Sequence, residues 1–166
     1  MPSRSLNEEA EQILSRQTDA QWERRELELN AWVTRSKQKR KDKLTRVLEV
    51  FEVDAELFPA LSLLRQLRIP TEFSCAGVSL LDDPFEHSLY AYITIHASDR
   101  TEAFVRFASA FMKQRLLVTY EPAFSRYDLS SFFIGHNRSF CLLMQRCAEA
   151  YERITLLNFD ESAAVE

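Results

Sequence analysis

The sequence predicts an α+β fold: a sheet of about four strands with helices packed on one face, preceded by a long N-terminal helical arm. Three observations predict it. Residues 5–50 contain neither Pro nor Gly and are heavily charged. Beyond residue 54, helical apolar spacings and short strand-like runs alternate in the order α-β-β-α-β-β-α. The helix expected at 101–113 lies between two strands, so it can cross over and lay its apolar stripe on the sheet.

Each element has a local reason. Ser5 followed by Glu8 fits a capping box for the arm. Leu6, Ile13, Ala20 and Leu27 recur every seven residues, followed by Leu29, Trp32 and Val33. Unbroken, residues 5–50 would span roughly 65 Å, which exceeds a domain of this size. A break is expected at Thr34-Arg35-Ser36, where helix propensity is poorer. Asp54 can cap the next helix, whose face is Leu57, Ala60, Leu61, Leu64 and Leu67, and Pro70 ends it. Thr71 to Cys75 is a strand, Ser74 to Gly77 a turn, and Leu81 to Ser88 a surface loop.

Leu89 to Ala97 alternates as a strand does. Asp99 caps the helix that buries Phe104, Phe107, Ala108 and Phe111. Leu116 to Tyr120 and Leu129 to Ile134 are the remaining strands. Asn137 or Ser139 caps a last helix carrying Phe140, Leu143, Met144, Cys147 and Tyr151. The expected organisation is a helical arm over residues 1–50, an α+β domain over 54–158 and a disordered tail over 159–166.

At 166 residues, with 46% hydrophobic and 28% charged residues, the chain suits one globular domain. No window approaches a membrane span. The first residues lack the apolar stretch of a secretory signal, and the three cysteines are too few and irregular for a disulfide framework. A cytoplasmic setting is therefore expected. The net charge of -4 conceals a basic stripe of Arg35, Lys37, Lys39, Arg40, Lys41, Lys43 and Arg46.

The most distinctive segment is Pro70-Thr71-Glu72-Phe73-Ser74-Cys75-Ala76-Gly77. It places a thiol at a strand end, where open sheets present side chains to ligands. Cys75 is the candidate nucleophile and His87, across the loop, its candidate base. Ser74, Gly77, Tyr90 and Tyr92 would form the rim of such a site. The alternative is that Cys75 is a small buried hydrophobe and Gly77 only a turn. No cofactor and no metal are expected, because Cys75, His87, His96, Cys141 and Cys147 form no C-x-x-C or H-x-x-x-H pair.

Thr71, Phe73, Ser74, Cys75, Gly77, His87 and Tyr90-Ala91-Tyr92-Ile93 resemble a T-x-[F/Y]-S-C-x-G pattern followed by a loop ending in His and a Tyr-containing strand. The pattern is that of uncharacterised small bacterial and phage proteins. The resemblance covers about residues 64–95 and implies a shared fold and rim site without implying an activity. Relatives often carry His directly after the Gly, where this chain has Val78. Ser74, Cys75 and Gly77 are also similar to the S-S-C-S-G segment of wybutosine-synthesising methyltransferases.

Three functions follow as expectations. The first is an interaction or regulatory module that meets a protein partner, or a second copy, through Trp22, Leu29, Trp32 and Val33 on the arm. The second is a thiol-dependent enzyme built on Cys75. The third is nucleic-acid binding by Arg35, Lys37, Lys39, Arg40, Lys41 and Lys43, although no aromatic residues interleave these charges.

Overall fold

The computed structural model describes residues 10–37, 43–80 and 88–163. The order read from the sequence beyond residue 54 is the order found: α2 (Phe58–Gln66), β4 (Thr71–Cys75), β5 (Tyr92–His96), α3 (Asp99–Met112), β6 (Leu116–Glu121), β7 (Arg126–Ser131) and α4 (Asn137–Ala163). The sheet has five strands, not four, because β1 (Gln12–Ile13) adds to the free edge of β6. The strand order is β1-β6-β7-β5-β4, antiparallel at every pairing.

Alternation decides which face of the sheet each residue occupies. Ala91, Ile93 and Ile95 on one strand, Leu129 on the next and Leu116 and Val118 on the third share a buried face. Against it lie Leu57, Leu61 and Leu64 of α2, Phe104 and Ala108 of α3, and Phe140, Met144 and Cys147 of α4. Fully burying each large side chain contributes about 1.5–3 kcal/mol, so this single cluster carries most of the stabilisation. The opposite face is polar: Tyr92, Thr94, Thr119, Asp128, Ser130 and Glu121 alternate with the core residues.

The first fifty residues depart from the expected arm. Among the described residues of this stretch one helix, α1 (Asp19–Thr34), stands where the continuous one was expected, and it ends at the predicted break. Thr18 and Gln21 form its capping box; Ser5 and Glu8 lie outside the described residues. A hairpin follows, β2 (Thr45–Leu48) and β3 (Phe51–Asp54), paired from Thr45↔Asp54 to Leu48↔Phe51. Its two-residue turn puts Glu49 at φ 57°, a conformation for which hairpins ordinarily use Gly or Asn. Helical spacing therefore hid a strand pair.

α1 does not project. It crosses one end of the polar face, so helices cover both faces of the sheet there. Trp22 meets Phe132 edge to face at 4.9 Å. Arg25 donates to the Phe132 carbonyl at 2.5 Å, and the Glu28 carboxylate accepts the amides of Ile134 and Gly135 at 2.6 and 3.1 Å. Trp32 is buried with Val78 and Ile134. Two further expectations shift: the last strand is Arg126–Ser131 instead of 129–134, and α4 runs to Ala163, through part of the stretch expected to be tail.

Asp54, read as the cap of α2, caps nothing there; Leu57 occupies the N-cap without a side-chain bond. Asn137, read as a cap of α4, turns its side chain away. Its Oδ1 accepts the Ala91 amide at 2.8 Å, and its Nδ2 donates to the carbonyls of Val78 and Leu89 at 2.7 and 2.8 Å. Asn137 is 4% exposed, so the three bonds are shielded from water.

Asn137→Ala leaves the Ala91 amide and the Val78 carbonyl unpaired, takes one of two donors from the Leu89 carbonyl, and is expected to cost about 3 kcal/mol. Urea denaturation checks this, and a loss below 1 kcal/mol would contradict the role assigned to the amide.

Candidate functional site

The turn after β4 begins with a constraint on backbone. Gly77 has φ +75°, and a Cβ built there would lie 2.4 Å from Asn137 Nδ2 and 2.6 Å from the Ala91 nitrogen. Only glycine fits both the conformation and the space. The Ala76 amide beside it donates to Asp54 Oδ2 at 2.7 Å, which ties the end of β3 to the end of β4. Cys75 is the last residue of β4 and pairs with Tyr92, so its side chain stands on the polar face.

Two nitrogens address the Cys75 sulfur: Lys43 Nζ and the Gly77 amide, each 3.4 Å away. Lys43 Nζ also lies 3.1 Å from Asp54 Oδ2. The Lys43 side chain is only 6% exposed and that of Asp54 16%, so the ion pair is drawn tight by a medium that screens it little. Cys75 itself is 9% exposed. The sulfur thus has a cation and an amide as its polar neighbours. The other cysteines differ: burial pushes the thiols of both Cys141 and Cys147 up to about 12. Burial, and then the charge at Cys75, raises the Tyr92 phenol.

The expected site is therefore partly assembled, with different companions. Tyr92 and the Gly77 amide adjoin Cys75. Ser74 points to the other side of β4 and lines a cleft of about 630 Å³ between β3 and β4, with Phe51, Val53, Ile69 and Phe73. Tyr90 lies away from the thiol, its ring 3.9 Å beneath the Arg25 guanidinium. His87, the expected base, lies outside the described residues.

The basic stripe is not one surface. Lys43 is committed to Asp54 and Cys75, Lys37 lies 4.0 Å over the Trp32 ring, and Arg46 lies 3.9 Å over Phe58. Arg35 is exposed; Lys39, Arg40 and Lys41 lie outside the described residues. Of the arm's expected partner face, Trp22 and Trp32 pack on the chain's own body, while Val33 stays exposed and Leu29 is exposed at its margin.

Among the described residues one group has metal-ligand spacing: Glu11, Glu121 and Asp128, with oxygens within 4.8 Å of one another. Its charge is already partly answered, since Arg126 lies 3.2 Å from Glu121 and Thr94 donates to Asp128. Burial raises the Asp128 carboxyl to about 6, and the bond from Glu121 adds to the rise. The same bond, then Arg126, lowers Glu121. Below about pH 6 the pair keeps one proton, held on Asp128 and not on Glu121.

No family model matches the chain, and neither a curated protein nor a solved structure is significantly similar to it. Sequence reasoning put Lys43 in the basic stripe instead of beside Cys75, and missed Asp54 as a site residue. Their signal was the alternation of Thr45-Arg46-Val47-Leu48 and Phe51-Glu52-Val53-Asp54, which read as a hairpin would have set Lys43 on the same face as Asp54, two residues beyond its partner Thr45.

Asp128 holds its proton more tightly folded than unfolded. Its favourable contribution is complete below about pH 4 and is lost as pH rises through about 6. Glu121 acts with the opposite sign. Asp128→Asn keeps the Thr94 and Glu121 bonds without the charge. It is expected to flatten the loss of stability between pH 5 and 7 and to gain roughly 1 kcal/mol at pH 7.5, discounted for solvent screening. Urea midpoints across that range test this; an unchanged pH profile would refute the proton held on Asp128.

Proposed function

We propose that this chain performs thiol chemistry at Cys75. The observation that carries the reading is the Lys43 ammonium 3.4 Å from the Cys75 sulfur, held in place by Asp54. Lys43 is the counter-ion of the thiolate, and it can deliver a proton to a group leaving the sulfur. The Gly77 amide is the second donor on the sulfur. Asp54 is a positioning residue: it fixes Lys43 with one oxygen and uses the same oxygen to hold the Ala76 amide.

A buried ion pair supports this reading for an energetic reason. Desolvating two charges costs several kcal/mol, which mutual attraction offsets only in good geometry, and a packed apolar pair often serves stability equally well. The pair is therefore poorly explained as a stability device and well explained by the sulfur it faces.

The interaction-module reading is supported at a different surface from the one expected. Val47, Val50, Phe51 and Phe73 are exposed around the hairpin and the cleft, Phe51 by 68%. Exposed apolar side chains such as Phe51 and Phe73 at the cleft suit contact with a second copy of the chain. Sedimentation equilibrium is expected to show mass rising with concentration and Phe51→Glu to abolish the rise; a monomer at all concentrations would exclude it.

Iodoacetamide at neutral pH is expected to alkylate Cys75 at least about ten-fold faster than Cys141 or Cys147. The double variant Lys43→Met/Asp54→Asn removes the cation without stranding a buried charge and keeps an acceptor for Ala76. It should slow the reaction about ten-fold. Peptide mapping after timed quenching reads both rates. An inert Cys75 in the wild type, or a rate unchanged in the double variant, would overturn the proposal.

A further inference from the structure

All three cysteines are free, and among the described residues both hydrogen-bond partners of the Cys75 sulfur are nitrogens. Cys141 and Cys147 belong to the apolar core on the helical face of the sheet, whereas Cys75 stands on the polar face. An oxidised Cys75 has no thiol among these hydrogen-bond partners, although Cys141 on α4 is near enough to Lys43 and Asp54 to feel their charges. It has an amine. Sulfenic acids that meet no thiol condense with a nearby nitrogen, and Lys43 is buried, fixed by Asp54 and already 3.4 Å from the sulfur.

We propose that oxidation of Cys75 by a peroxide closes a reversible covalent bond between its sulfur and Lys43 Nζ. The inference rests on Cys75 being the reacting group of the chain and adds a switch that turns that group off. In the first step the thiolate attacks one oxygen of hydrogen peroxide and the O–O bond breaks. The departing hydroxide takes a proton from the Lys43 ammonium and leaves as water. Sulfur is oxidised by two electrons, peroxide is reduced, and a sulfenic acid faces a neutral amine. In the second step the Lys43 nitrogen attacks that sulfur and the S–O bond breaks. The hydroxide takes one proton from nitrogen and leaves as a second water. The product is a sulfenamide, Cys75 S–N Lys43, which a dithiol reduces back to thiol and amine.

The geometry favours this closure over deeper oxidation. The ammonium supplies the proton that makes hydroxide a good leaving group, and in doing so it becomes the nucleophile the next step needs. Asp54 keeps the nitrogen on station between the steps. Burial of the pair limits access of a second peroxide to the sulfenic acid.

The test treats the full chain with hydrogen peroxide and measures intact mass, then maps peptides without reduction. The expected product is about 2 Da lighter than the reduced chain, the loss of two hydrogens, with Cys75 and Lys43 peptides joined. Dithiothreitol should separate them and restore alkylation of Cys75. Cys75→Ser should show no mass loss. Lys43→Met/Asp54→Asn, confirmed folded by circular dichroism, should gain oxygen at Cys75 instead. Oxygen added to Cys75 in the wild type with no joined peptide would overturn the inference. So would a 2 Da loss that persists in the double variant: a Cys75 peptide joined to the Cys141 peptide would assign a disulfide, and an unjoined, lighter Cys75 peptide would assign the Gly77 nitrogen. Iodoacetamide labelling of the untreated chain separates the two readings. A chain that alkylates at Cys75 but does not cross-link loses only the switch; one that neither alkylates nor oxidises there loses both.

Discussion

A single buried side-chain amide organises the part of this molecule where chemistry is possible. Asn137, the first residue of α4, bonds to backbone on both sides of the connection between β4 and β5: Val78 after the turn, Leu89 and Ala91 before the strand. The close approach this needs is open only to a residue without a Cβ, and Gly77 sits against the amide. Helix, turn and strand entry are thereby locked together, and the end of β4 can hold only one conformation. Asp54 fastens the same turn from the other side through Ala76. Between the two anchors lies Cys75.

That arrangement resolves the choice between a reactive thiol and a small core residue into its physical parts. The sulfur is largely buried, as a core cysteine would be, yet its neighbours are an ammonium, an amide and a phenol-bearing strand instead of leucine and phenylalanine. The helical side of the sheet takes the apolar load; the other side collects Cys75, Tyr92, Thr94, Asp128 and Glu121 in adjacent rows. Low dielectric and fixed donors act together there. They draw Lys43 and Asp54 into a close ion pair, and burial raises the Asp128 carboxyl while Glu121 beside it is lowered.

Where neighbours in sequence are neighbours in space, the chain was readable. The stripes of α2, α3 and α4 and the alternation of β5 announced the core, because each is a local period enforced by one buried face. Thr34-Arg35-Ser36 announced the end of α1. The hairpin failed to announce itself because Glu49, not Gly or Asn, takes the left-handed position. Trp22 and Trp32 were read as a face for a partner surface, but periodicity cannot say that they pack on Phe132 and Ile134, a hundred residues away. The same distance hid Asn137, whose capping signature is the usual one although its side chain serves other strands. Lys43 looked like one cation of a basic run and Asp54 like a helix cap; only folding reveals that they meet at a sulfur.

Amide hydrogen exchange at Ala76 and Ala91, followed by NMR, tests the central claim most directly. Both amides donate to side chains of the clamp, one to Asp54 and one to Asn137. The account predicts that they exchange only through global unfolding, as slowly as the amides inside β5. Exchange at the rate of an exposed loop would mean that the turn is not held, and that the sulfur has no fixed place beside Lys43.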